Sequence, residues 1–120
     1  MRNQPKYNFF KNTTYALNGL KDIIKYESSF RIELVICIFL IPFIFFIDIP
    51  FVEKLFLIIT MAGVIIAETI NSAIERVVDL VTLDHNIMAG RAKDAGSATV
   101  FLSICLSVIT WGIILVKNFG

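Results

Sequence analysis

At 120 residues and 57% hydrophobic content, with a mean hydropathy of +0.77, the chain lies outside the soluble globular range and reads as one integral-membrane domain. Eleven Lys and Arg stand against ten Asp and Glu, a formal net charge of +1, so no field of one sign recruits nucleic acid as a partner. Cys37 and Cys105 both fall in apolar stretches, where thiols behave as small buried hydrophobes rather than as a disulfide framework.

Residues 5 to 28 mix Tyr7, Phe9, Phe10, Tyr15, Leu17, Leu20, Ile23 and Ile24 with lysines. They read as an amphipathic helix lying in the headgroup region, its lysines towards anionic lipid, or more simply as a solvated N-terminal helix. The segment is too polar for a removable signal peptide, so the first apolar run serves as its own insertion signal. That run, residues 30 to 47, is the first expected span; Pro42 within it is a kink point. Asp48 and Pro50 then make a turn. A second span is expected over 52 to 80, apolar at first and increasingly polar from Glu68. A loop with Thr82, Asp84, His85 and Asn86 leads into Gly90-Arg91-Ala92-Lys93-Asp94, and a third span is expected over 95 to 116. On that span Ala95, Thr99, Ser103 and Ser107 recur every fourth residue, a stripe along which another helix can approach closely.

Basic residues set the expected orientation. Arg2, Lys6, Lys11, Lys21, Lys25 and Arg31 cluster before or at the start of the first apolar run, and Arg76, Arg91 and Lys93 follow the second, whereas the loop near 48 to 54 offers only Lys54 beside Glu53. The positive-inside rule then puts the N-terminus and the second loop in the cytoplasm and the C-terminus, with Lys117 alone, outside.

Polar groups inside membrane-grade sequence are the strongest functional signal. A charged group at mid-bilayer costs roughly 2.5 to 3.5 kcal/mol on insertion scales, so several on one helix imply a site. Glu68, Asn71, Ser72, Glu75 and Asp79 fall within an arc of about 100° on a helix, with Arg76 pointing away from it. A partly desolvated Glu68 suits a general base, and Asn71, one turn on, can hold that acid or a substrate hydroxyl. Glu75, Asp79 and Glu27 offer the hard oxygens that Mg²⁺ takes together with phosphate oxygens. Arg91 and Lys93 add positive charge, and Gly90 allows close backbone approach, as a phosphate site requires. The alternatives are a polar network that only cements helices and a basic loop that only reports topology. His85, the lone histidine, reads as solvated or as a nucleotide contact. No P-loop, no protein-kinase signature and no Cys/His cluster of zinc spacing is present in the sequence.

Two stretches, Ala67-Glu68-Thr69-Ile70-Asn71-Ser72-Ala73-Ile74-Glu75 and Gly90-Arg91-Ala92-Lys93-Asp94-Ala95-Gly96-Ser97-Ala98, closely resemble the signatures of the small bacterial integral-membrane diacylglycerol kinases. The likeness extends through Glu27-Ser28-Ser29-Phe30-Arg31 and the closing Ile109-Thr110-Trp111 and Phe119-Gly120, and is to the Gram-negative type. The resemblance implies an all-α membrane protein, an interfacial helix plus three transmembrane helices in a homotrimeric bundle at the bacterial inner membrane. It implies transfer of the γ-phosphoryl group of MgATP to the primary hydroxyl of diacylglycerol, giving phosphatidic acid. On it, Glu68 matches the catalytic base and Asn71 its neighbour at the lipid hydroxyl. Glu27 and Glu75 match the carboxylates holding the metal that bridges the ATP phosphates. Tyr15, Gly90, Arg91, Lys93 and Asp94 match nucleotide-site positions, with Asp84, His85 and Asn86 assigned to that site by position alone. Ser97, Trp111, Arg31 and Glu33 match the lipid site.

The chain departs from that pattern at two places. An arginine common in the family stands here as Asn8, so its contact is lost or passes to Lys6 or Lys11. The loop reads Asp84-His85-Asn86-Ile87-Met88, its histidine one residue earlier than in relatives. Two rival functions stay open: a kinase of another lipid alcohol, undecaprenol foremost, and a non-enzymatic bundle conducting ions along Glu68, Glu75 and Asp79. The second expects polar residues in the outer half of the spans, where Leu55 to Ile66 carries only Thr60.

Overall fold

The computed structural model describes residues 6–120; Arg2 and residue 5, where the N-terminal helix is expected to begin, lie outside them. Four helices follow one another: α1 (Phe9–Tyr26), α2 (Ser28–Phe46), α3 (Phe51–Val81) and α4 (Ile87–Phe119). Each boundary has a local cause. Asn8, the position of the missing arginine, is the N-cap of α1, its side chain accepting from the Lys11 amide at 3.1 Å. Glu27 alone separates α1 from α2, in an extended conformation that makes an elbow. Arg31 braces it by donating from Nη1 to the Ile24 and Lys25 carbonyls, both at 2.8 Å, which satisfies acceptors at the end of α1 that have no helical partner.

α2 runs on through Pro42 and ends at Ile47, before the turn at Asp48 to Pro50. At the foot of this hairpin Lys54 donates to the Phe45 carbonyl at 3.0 Å, and Glu53 pairs with Lys117 and accepts from Asn118 at 2.9 Å, tying the start of α3 to the end of α4. At the other end Thr82 closes α3, and its hydroxyl accepts from the Asp84 amide at 3.1 Å. Asn86 then caps α4, accepting from the Ala89 amide at 3.0 Å.

α4 therefore begins eight residues before the expected span, and Gly90 to Asp94 are its first turns rather than a loop. A Cβ on Gly90 would meet open space, so the backbone there makes no close approach within the chain. α2 and α4 are each long and apolar enough to cross a bilayer. α2, at 19 residues, is about 28 Å long, close to the hydrocarbon thickness of a bilayer, whereas α3 at 31 and α4 at 33 residues, about 46 and 50 Å, are longer than it.

Packing is strongest between α3 and α4, with α2 against α3 and α1 touching α2 and α3 lightly. Ile44, Ile49, Leu57, Met61 and Ile114 form the buried cluster, with Leu40 and Trp111 packed on it. Only half of the small-residue stripe lies in this interface: Ser103 and Ser107 are half-buried, whereas Ala95 and Thr99 are exposed and Gly96 takes the contact at that end. Ser107 Oγ donates to Thr60 Oγ1 at 3.2 Å, while Thr60 donates to the Leu57 carbonyl at 3.0 Å. Interhelical bonds of this kind contribute about 0.6 kcal/mol in a bilayer, because the separated helices find other partners. Ser107→Ala is accordingly expected to leave the fold intact and lower stability by less than about 1 kcal/mol, read from denaturant unfolding in micelles. Phe39, Phe46, Phe101 and Ile113 are among many large apolar side chains left exposed, a surface suited to lipid or further helices rather than water.

Candidate active site

The polar face of α3 is graded along its length. Glu68 and Ser72 are buried, at 8% and 4% exposure; Asn71 and Glu75 are half-buried and Asp79 is exposed. Beyond Ser72 the same arc meets more solvent with each turn, half-buried at Glu75 and exposed at Asp79.

Glu68 is not alone. Glu33, on α2, lies close to Glu68, and its Oε2 is buried without a hydrogen-bond partner among the described residues. Glu33 also lines one end of an apolar cleft of 330 Å³ between α2, α3 and α4, walled by Cys37, Leu40, Met61, Val64, Ile65, Ile104 and Val108 and reaching Trp111. An apolar cleft with the Glu33 carboxyl at one end can seat a hydrocarbon chain with a polar head at the acid.

One turn on from Glu68, Asn71 Nδ2 donates to Glu75 Oε1 at 3.1 Å. Asn71 Oδ1 is buried and has no partner among the described residues, which leaves an acceptor aimed at α4. Gly96 faces it there, and a Cβ at that position would collide with Asn71 Oδ1. Gly96 thus gives the amide its space, a role that the sequence does not signal beyond the presence of a glycine in the stretch.

Towards the helix ends a second cleft, of 380 Å³ and mostly polar, is lined by Asp79, Asp84, His85, Asn86, Gly90 and Lys93 among others. Lys93 Nζ pairs with Asp79 Oδ1 at 2.7 Å across its floor. Five of the expected nucleotide-site residues are thereby brought together. Arg91 is exposed beside Met88 Sδ at 3.6 Å, and Asp94, Ser97 and Tyr15 are exposed and line neither cleft. Arg31 stays on the α1 carbonyls.

Arg76, expected to stand apart from the polar arc, reaches across to α1. It pairs with Asp22 and, through Nη2, with Glu27 Oε1 at 3.4 Å. Arg76 lies roughly 38 Å along α3 from Phe51, beyond the hydrocarbon thickness, and hydrogen bonding to the Asp22 carboxylate raises its guanidinium further above its already high value. No signal along the chain links residues 22 and 76.

No group of three or more candidate metal ligands occurs among the described residues. The hard oxygens of Glu27 and Glu75 fit a divalent cation that carries its own phosphate ligands, the common way of holding Mg²⁺, and do not fit an all-protein cage. Glu27 already draws a cation, the Arg76 guanidinium.

Comparison with known proteins places the chain in a family. The family model of prokaryotic diacylglycerol kinase matches residues 14–115. The chain is 41% identical to the diacylglycerol kinase of Haemophilus influenzae over 104 residues, covering 87% of this chain and 88% of that protein. It is 37% identical to that of Escherichia coli K12 over 110 residues, 92% and 90% of the two. To the undecaprenol kinase of Bacillus subtilis it is 28% identical over 101 residues, 84% and 82%. With a family match across most of its length and relatives at these identities, the chain belongs to the prokaryotic diacylglycerol kinase family.

Proposed function

We propose that the chain is an ATP-dependent diacylglycerol kinase of the bacterial inner membrane, with α1 at the cytoplasmic surface, α2, α3 and α4 as three spans, and the α3–α4 loop in the cytoplasm. The observation that carries this reading is Glu68, buried on α3 where the apolar cleft meets Glu33, at the head of a graded polar face that runs towards the second cleft. The acyl chains of the acceptor occupy the apolar cleft, with Trp111 at its far end and Arg31 and Ser97 nearer the headgroup. Its primary hydroxyl lies at Glu68, positioned by Asn71.

Glu68 accepts the hydroxyl proton as the alkoxide oxygen forms its bond to the γ-phosphorus. The bond from that phosphorus to the β,γ-bridging oxygen breaks, and ADP leaves. Phosphoryl transfer asks mainly for positioning and neutralisation of charge. Lys93 supplies positive charge at the phosphates, with Arg91, while Gly90, Asp84, His85 and Asn86 bound the nucleotide in the second cleft, and Asp94 and Tyr15, which line neither cleft, join it where a neighbouring copy completes the site. Glu27 and Glu75 hold Mg²⁺, which, when bound with ATP, neutralises phosphate charge. A homotrimer lets residues of neighbouring copies complete one site and covers exposed apolar helix faces.

Transfer of labelled γ-phosphate from MgATP by purified protein in mixed micelles, with diacylglycerol and undecaprenol offered in parallel, tests the reading. Preferential formation of phosphatidic acid is expected, consistent with higher identity to diacylglycerol kinases than to the undecaprenol kinase. A preference for undecaprenol would keep the chemistry and replace the acceptor. No transfer to either lipid by folded protein would return the polar face to a purely structural role.

A further inference from the structure

Arg76 is shared unequally. Its contact with Asp22 on α1 is close, whereas Nη2 stands 3.4 Å from Glu27 Oε1, beyond the 2.7–2.9 Å of a strong charge-assisted bond. All three side chains are partly open to solvent, at 43% for Arg76, 45% for Asp22 and 27% for Glu27, so the looser contact is screened and readily exchanged. Glu27 occupies the single-residue elbow between α1 and α2, and Glu75 adjoins Arg76 on α3. Three carboxylates and one guanidinium leave two negative charges uncompensated, the charge of one divalent cation.

We propose that Arg76 is a counter-ion held in reserve for Glu27: with no metal present it bridges Asp22 and Glu27, and an arriving divalent cation takes Glu27 from it while Asp22 retains it. The inference rests on the assignment of Glu27 and Glu75 to the metal under the proposed function. Asp22 acts as a positioning residue that keeps Arg76 from settling fully on Glu27. Arg76 competes with the cation for the same oxygen, yet holds the elbow carboxylate over the end of α3 until the cation comes. A guanidinium suits this task because its fork reaches two carboxylates at once, which a lysine ammonium does less well.

The two partners of one ion pair should then act in opposite directions. Binding of Mn²⁺ with β,γ-methylene-ATP, followed by the loss of the free Mn²⁺ electron paramagnetic resonance signal, reads this without turnover. Arg76→Gln removes the competitor and is expected to tighten binding about five- to tenfold, the scale of one unit charge removed from beside a divalent ion in a partly solvated site. Asp22→Asn releases Arg76 onto Glu27 and is expected to weaken binding by a similar factor. Arg76→Lys, which retains the charge but not the fork, is expected to fall between the parent and Arg76→Gln and guards against misreading a folding defect. If Arg76→Gln and Asp22→Asn shift binding in the same direction, Arg76 is only a strap joining α1 to α3 and the proposal falls. It falls equally if neither shifts binding while Glu27→Gln weakens it. Unchanged binding in Glu27→Gln would instead overturn the metal assignment itself, and this proposal with it.

Discussion

Glu68→Gln is expected to lower phosphoryl transfer by about 10²–10⁴-fold while leaving binding of an ATP analogue within about twofold, because general-base assistance contributes on that order and the amide has no basic oxygen. The substitution is nearly isosteric, so the buried position against α2 and the shape of the cleft are retained. The amide also keeps a polar group beside Glu33, which a Glu68→Ala variant does not, leaving there a cavity next to a half-buried acid. Turnover in mixed micelles and equilibrium binding of the analogue separate the two effects. Undiminished transfer in Glu68→Gln would remove Glu68 from the role of base and leave it as a buried partner of Glu33.

The second large effect is expected at Gly96, which touches no substrate in the proposed mechanism. Gly96→Ala places a methyl group against Asn71 Oδ1, the far end of a two-torsion side chain, while the backbone around it has room. Asn71 is the part that gives way, and its rotation breaks the 3.1 Å bond from Nδ2 to Glu75 Oε1. Overpacking of this size costs about 1–3 kcal/mol when the surroundings are rigid, and less where one side chain can turn. The expected signature is thus a loss of transfer of about 10²-fold, with loss of stability under about 2 kcal/mol. If the effect runs through Asn71, Gly96→Ala and Asn71→Ala will not add: the double variant should transfer at nearly the rate of Asn71→Ala alone. Additive losses would mean that Gly96 serves only the contact between α3 and α4.

Much of the architecture was legible along the chain because a bilayer imposes simple arithmetic. The helix α2 covers the apolar run expected at residues 30 to 47 to within two residues, because an almost unbroken apolar stretch satisfies its backbone groups best within itself as a helix. α3 follows the expected second span as closely, and its burial order from Glu68 to Asp79 was readable from the onset of polarity after Ala67. The start of α4 was not read correctly. Gly90 with three neighbouring charges looks like a loop, yet Asn86 is a good N-cap and accepts from the Ala89 amide, so the helix begins before the apolar run does. Hydropathy marks where a helix enters lipid, whereas capping marks where it starts.

The chain alone thus determined its class, its helical segments and the face on which the acids stand, because each depends on residues within a few turns of one another. Only the tertiary structure decided which groups meet. Glu33 reaches Glu68 across 35 positions, Arg76 reaches Asp22 across 54 and Gly96 makes room for Asn71 across 25. These meetings depend on how each helix is rotated against its neighbours, which side-chain packing sets and local periodicity leaves open.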